Sequence, residues 1–117
     1  MREIQFYRNV SGECPVEDFL DRLGPKQAQK VAWVLKLVKE MPFVPKQYLK
    51  KLEGAVELWE VRAEFGGDAF RLPGFWDAGN LIILTNGFAR KTQKTPNREI
   101  ELANQRRRDY LDRKGKR

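Results

Sequence analysis

Apolar positions recur first at helical spacing and then at strand spacing along this chain. Ile4-Gln5-Phe6-Tyr7 reads as a short opening strand. Cys14-Pro15 begins a helix, with Pro15 suited to the first helical position, and Val16, Phe19, Leu20 and Leu23 fall at the i, i+3, i+4, i+7 spacing of an apolar stripe. Gly24 ends that helix and Pro25 starts a second one, lined by Ala28, Val31, Leu35 and Val38, supported by Trp33, Val34 and Leu37, and closed by Met41-Pro42. Two helices joined this tightly form a hairpin.

The period then drops to two. Trp59, Val61, Ala63 and Phe65 share one face of a strand, while Leu58, Glu60, Arg62 and Glu64 share the other. Gly66-Gly67-Asp68 is a hairpin turn, and Ala69-Phe70-Arg71-Leu72 returns with Arg71 opposite its apolar neighbours. Pro73-Gly74 predicts an interruption or a bulge, followed by Phe75-Trp76, a turn at Asp77-Ala78-Gly79-Asn80, and the strand Leu81 to Thr85. The result is a three-stranded antiparallel meander to which the first strand adds an edge. Thr95-Pro96 reads as N-cap and first residue of a last helix, with Glu99 favourable in its first turn and a thin apolar face at Ile100, Ala103 and Tyr110-Leu111. The expected class is α+β: an N-terminal helical hairpin packed on a small antiparallel β-sheet, with a C-terminal helix. One domain over residues 1–113 is expected, with a basic, disordered tail at 114–117.

Composition narrows the chemistry. The 117 residues include no histidine and one cysteine, Cys14, so a catalytic triad, a histidine acid–base pair, a disulfide and the usual zinc sites are not expected. Cys14 reads as a passive small residue, and no metal or cofactor is anticipated. No apolar run is long enough for a bilayer and no signal-peptide pattern opens at Met1, so cytoplasm is the expected compartment and no membrane the expected partner. The net charge of +7 is unevenly spread: residues 1–89 carry twelve Lys/Arg and twelve Asp/Glu, whereas 90–117 carry eleven cations against Glu99, Glu101, Asp109 and Asp112. Such asymmetry points either to a phosphate-facing surface or to a solvated basic helix and tail.

The positive charge begins in the loop Asn86-Gly87-Phe88-Ala89-Arg90-Lys91-Thr92-Gln93-Lys94-Thr95-Pro96, between a strand and a helix. Alternation turns Trp59, Val61, Phe70 and Leu72 toward the helical hairpin and leaves Glu60, Arg62 and Arg71 facing solvent. The loop then closes over that face and gathers Arg62, Arg71, Arg90, Lys91 and Lys94 around Glu60. Such a surface suits RNA. Metal-independent cleavage uses the substrate 2′-hydroxyl as nucleophile and needs a proton acceptor, a proton donor and stabilisation of the phosphorane charge. Arginine forms the phosphate clamp, and a lysine crowded by other cations or Glu60 serves as acid or base. Phe88 is either a stacking platform or a loop anchor. Arg62 and Arg71 are alternatively solvated or paired with Glu60 and Glu64, Glu60 is more simply an ion-pair partner, and Trp33 and Trp59 are simplest as core. Only part of Arg106-Arg107-Arg108 can face one side of a helix.

The order of two helices, Lys50-Lys51-Leu52-Glu53-Gly54, Leu58-Trp59-Glu60-Val61-Arg62, Phe70-Arg71-Leu72 and the stretch Asn86 to Ile100 resembles the RelE/ParE superfamily of toxins, in particular its HigB-like, phage-derived branch. The resemblance covers nearly the whole chain, and Asn86 to Ile100 is its most specific part. It implies two helices on a small antiparallel sheet and a toxin of a type II toxin–antitoxin pair that cuts mRNA on the ribosome. It also implies a cognate antitoxin, a small helix-turn-helix DNA-binding protein through which alone operator DNA is reached. Arg71 matches the arginine of the second hairpin strand, Lys91 or Arg90 the basic position after the last strand, and Arg62 a basic position on the preceding strand. Catalytic roles are thus expected for Arg71, Lys91, Arg62, Lys94 and Glu60, and RNA contacts for Arg90, Phe88, Arg98 and Arg107. The chain lacks the histidine that HigB relatives use, and Tyr110 is its only counterpart to the C-terminal tyrosine of RelE relatives. Two alternatives stay open: a ParE-like inhibitor of DNA gyrase, and an inactive remnant that only binds an antitoxin.

Overall fold

Pro15 and Pro25 each open a helix in the computed structural model, which describes residues 1–90 and 94–115. Helix α1 spans Pro15–Arg22 and α2 spans Pro25–Glu40, so the predicted hairpin forms. The side chain of Gln27 accepts the Gly24 N–H at 3.1 Å and closes the first turn of α2. Val16, Phe19, Val31, Val34 and Val38 are buried where the helices meet the sheet. Trp33 departs from the expectation of a core residue. It is 46% exposed on the outer side of α2.

The sheet is larger than the meander. Strands β1 (Glu3–Phe6), β2 (Leu49–Lys51), β3 (Trp59–Phe65), β4 (Asp68–Trp76) and β5 (Leu81–Leu84) lie in the order β1-β5-β4-β3-β2, and β6 (Phe88–Arg90) also pairs with β4. Among the described residues all pairings are antiparallel except β1 with β5, which is parallel. Helix α3 (Asn97–Gly115) follows. Two strands escaped the pattern. With three residues each, β2 and β6 are too short to display an alternation.

Strand β4 runs unbroken through Pro73-Gly74, contrary to the predicted interruption. Pro73 has no N–H to give its neighbour across the ladder. Its carbonyl accepts the Thr85 N–H at 2.8 Å and the Thr85 hydroxyl at 3.1 Å. The return bond to the Thr85 carbonyl comes instead from Arg106 Nη1 of α3, at 3.0 Å. A helix arginine thus supplies the donor that the proline withholds. Gly74 is required by close approach, because a Cβ there would stand 2.3 Å from the Ile83 carbonyl oxygen.

The second sheet face is not open to solvent as the alternation suggested. Helix α3 lies across part of it, and Tyr7, Leu58, Phe75, Ile83 and Ala103 form a second core with Ile100 and Tyr110 against it. Asp77 accepts the Tyr110 hydroxyl at 2.7 Å and pairs with Lys114 Nζ at 2.7 Å. Tyr7 donates to Asp109, and Arg113 pairs with the same carboxylate at 2.7 Å. These ties carry the helix through Gly115, two residues past the expected domain boundary. Among the described residues no helix is long and apolar enough to cross a membrane.

Replacing Gly74 by Ala overpacks a site walled by backbone. Urea unfolding should show a loss of about 1–3 kcal/mol, and an unchanged midpoint would mean that β4 and β5 do not approach this closely.

Candidate functional site

Period-two geometry sends Glu60, Arg62 and Glu64 of β3 to one face, and the ladder sets Arg62 directly opposite Arg71 of β4. Like charges opposite one another destabilise a sheet unless a counter-charge lies between them. Glu60 supplies it. Its Oε2 is 3.7 Å from Arg62 Nε and 3.9 Å from Arg71 Nε. Glu64 reaches the other side of Arg71, 4.0 Å from Nη2. These separations are ion pairs rather than tight hydrogen bonds.

Burial distinguishes this cluster from a solvated charge row. Arg71 is 1% exposed and Glu60 5%, so the expectation that both face solvent is corrected. β6 pairs alongside Arg71, and Thr95 bonds to Glu60 from the residues that follow. Arg71 Nη1 donates to the Phe70 carbonyl at 2.9 Å. Desolvation, helped by the neighbouring charges of Arg62 and Arg90, brings the Arg71 guanidinium down to about 10, against the pull of Glu60 and Glu64. It remains a cation at neutral pH. Arg62 donates to the Lys46 carbonyl through Nη1 at 3.4 Å, while its buried Nε has no hydrogen-bond partner among the described residues.

The segment after β5 is pinned at both ends. Asn86 is buried and donates to Glu99 Oε1 at 2.9 Å. Gly87 lies against the Phe19 ring of α1, where a Cβ would stand 2.4 Å from a ring carbon. At the far end the Thr95 hydroxyl donates to Glu60 Oε1 at 2.9 Å. Thr95 was expected to cap α3; it is spent on the cluster instead, and the Pro96 carbonyl accepts the first N–H groups of that helix. Between these pins Phe88 pairs with Arg71 and Arg90 with Ala69, so the expected loop begins as a strand. Phe88 is half-buried opposite Arg71 in the ladder. Lys91, expected to be catalytic, lies outside the described residues.

A groove of about 370 Å³ opens over Glu60 and Arg62, with Lys94, Thr95 and Lys50 among its other walls; Arg71 does not line it. Lys50 was not singled out. The ladder sets it opposite Glu60, and only recognition of β2 as a strand could have found it. Arg98 does not join the groove: its side chain is 86% exposed and 3.8 Å from Glu99. Arg107 packs 5.7 Å over the Phe75 ring. Of the arginine triplet, Arg106 is committed to Thr85, Arg107 to Phe75, and Arg108 is exposed. Among the described residues no group of three or more Cys, Asp and Glu side chains is placed to hold a metal ion.

The fold is thus a helical hairpin on a mostly antiparallel sheet with a third helix behind, and the site sets a buried Arg71 and a partly exposed Arg62 around Glu60 beside a groove lined by lysines. The chain belongs to the Gp49-like family of phage-derived proteins, within the RelE-like superfamily of type II toxin–antitoxin systems; the family model matches residues 18–108. No curated protein matches the chain.

A charged Arg71 held in a dry site is weak evidence of stabilisation, whereas removing Glu60 leaves two cations facing each other. Arg71→Met should therefore leave the unfolding free energy within about 1 kcal/mol of the parent or raise it, and Glu60→Gln should lower it by about 2–4 kcal/mol. Thermal and urea unfolding of both variants decide this, and the reverse order would refute the assignment.

Proposed function

We propose that the protein is the toxin of a type II pair, of the HigB-like kind, and that it cuts mRNA in the ribosomal decoding site. The observation that carries this reading is the Arg62–Glu60–Arg71 cluster, in which Glu60 and Arg62 line a groove with Lys50 and Lys94 and Arg71 lines a second groove that shares Arg62. Two guanidiniums held there need little reorganisation when charge develops on a phosphorane. The substrate 2′-oxygen attacks the adjacent phosphorus, the bond to the 5′-oxygen breaks, and the products are a 2′,3′-cyclic phosphate and a 5′-hydroxyl. One group takes the 2′-proton and another returns a proton to the leaving oxygen.

Glu60 is poorly suited to be the base. One oxygen accepts the Thr95 hydroxyl and the other faces two arginines. Its part is to hold Arg62 and Arg71 in register. Proton transfer then falls to the lysines of the segment after β6, Lys91 and Lys94, with Arg90 and Phe88 contacting the RNA. An antitoxin, a small helix-turn-helix protein encoded next door, neutralises the toxin in the cytoplasm and alone carries the pair to operator DNA.

Induction should stop translation and produce new mRNA 5′-hydroxyl ends within translated codons. Arg71→Ala and Lys91→Ala should each lower cleavage on programmed ribosomes by about 10²-fold, with circular dichroism showing that both stay folded. Broken chromosomal DNA with intact mRNA would instead indicate a gyrase inhibitor. Intact translation with tight antitoxin binding would indicate an inactive remnant.

A further inference from the structure

A second groove adjoins the first. It measures about 300 Å³ and is lined by Lys30, Gln47, Tyr48, Arg62, Glu64 and Arg71. Arg62 belongs to both grooves. Arg62 therefore stands at the junction between them, with its side chain 22% exposed and its buried Nε turned to Glu60 Oε2 at 3.7 Å. A partly exposed guanidinium at a junction of two grooves is suited to an anion lying across it.

The walls of the second groove differ from those of the first. Tyr48 contributes an aromatic side chain held edge-on against Trp33, with ring centroids 5.9 Å apart and planes at 85°. Lys30 is held 4.4 Å from the Trp33 ring centroid, which keeps its charge beside the opening. Trp33 is the largest side chain on the outer surface of α2 and remains 46% exposed. Core packing therefore does not account for it, whereas bracing Tyr48 and Lys30 does. Gln47 adds an amide at the mouth, and Arg71 closes the far wall with a guanidinium that is 99% buried, by its 1% exposure. The volume lies at the small end of ligand sites. It suits a single unstacked nucleotide better than a folded peptide.

We propose that this groove is a base-stacking subsite for single-stranded RNA: a nucleobase packs on Tyr48 while the neighbouring phosphate lies on Arg62, so that the strand crosses from one groove to the other at that residue. The subsite rests on the proposed RNA reading and adds to it a position next to the scissile phosphate where a base is held by stacking. Aromatic platforms of this kind bind bases with little regard to sequence and do so most strongly for purines, whose rings are larger. No charged group is added or removed at Tyr48, so its contribution is independent of salt, while that of Arg62 is not.

The test is a titration of the full-length protein with a short single-stranded oligonucleotide of deoxyribose backbone, which lacks the 2′-hydroxyl and cannot be cut, and with the same strand made abasic at one position in turn. Binding is followed by fluorescence anisotropy at several salt concentrations. One abasic position should weaken binding to the parent about tenfold, within the range expected for one stacked base. Tyr48→Ala should bind the intact strand about tenfold more weakly and should lose its sensitivity to that abasic position, with the salt slope unchanged. Tyr48→Phe should retain parent affinity. Arg62→Ala should lower the slope of log affinity against log salt by about one phosphate contact. Equal binding of intact and abasic strands by the parent would overturn the subsite, as would a Tyr48→Ala protein that behaves like the parent. In either case a retained dependence on Arg62 would leave the wider RNA reading standing. Failure of every strand to bind would overturn the subsite, and the mapping of mRNA ends would then judge the wider reading separately.

Discussion

One carboxylate between two guanidiniums organises this protein. Arg62 and Arg71 face each other across adjacent strands, a pairing that a sheet disfavours, and Glu60 lies within 4 Å of both. On an open sheet face the three charges would be hydrated and worth little. Here Arg71 is almost wholly buried, and a buried charge is tolerated only if its neighbours hold it. The surrounding elements are arranged to do so. Thr95 fixes the free oxygen of Glu60, Glu64 flanks Arg71 from the other side, and β6 pairs directly alongside. The desolvation that lowers the Arg71 pKa also strengthens any contact that the guanidinium makes with an incoming anion.

Helix α3 is fastened to the sheet in part through an irregularity in it. Pro73 lies in an interior strand, where its missing N–H leaves the Thr85 carbonyl without a donor. Arg106 fills that gap from the helix. The same helix is fastened further along by Tyr110 and Lys114 on Asp77 and by Asp109 with Tyr7 and Arg113. The basic C-terminal quarter is thus partly structural. Several of its cations are engaged in holding the helix to the sheet, and the charge excess overstates the positive surface left for a ligand.

Much of this was legible in the residues. Helical spacing with prolines at both starts located α1 and α2, and period-two alternation assigned Trp59, Val61, Phe70 and Leu72 to the hairpin side. The apolar face at Ile100, Ala103 and Tyr110 was also where the structure has it. What failed was failure of context. Three-residue strands carry no periodic signal, so β2 and β6 were missed and Lys50 with them. Pro73 was expected to break β4 because the donor that replaces its N–H comes from 33 positions away, at Arg106. Arg71 and Glu60 were expected in water because alternation reports which face a side chain takes and not what lies over that face. The convergence of Glu60, Arg62 and Arg71 was anticipated; their burial, which changes what they can do, was not.

If the cluster is the anion seat of the protein, the Nε protons of Arg62 and Arg71 will report it directly. Nitrogen-15 spectra of the arginine Nε groups, recorded while a non-cleavable deoxyoligonucleotide is added, separate these two residues from the exposed Arg98 and Arg108. The resonances of Arg62 and Arg71 should shift together and saturate with the binding curve. Shifts confined to Arg98 and Arg108, with Arg62 and Arg71 unmoved at saturation, would contradict the central claim and would leave the Arg62–Arg71 pair as an element of the fold alone.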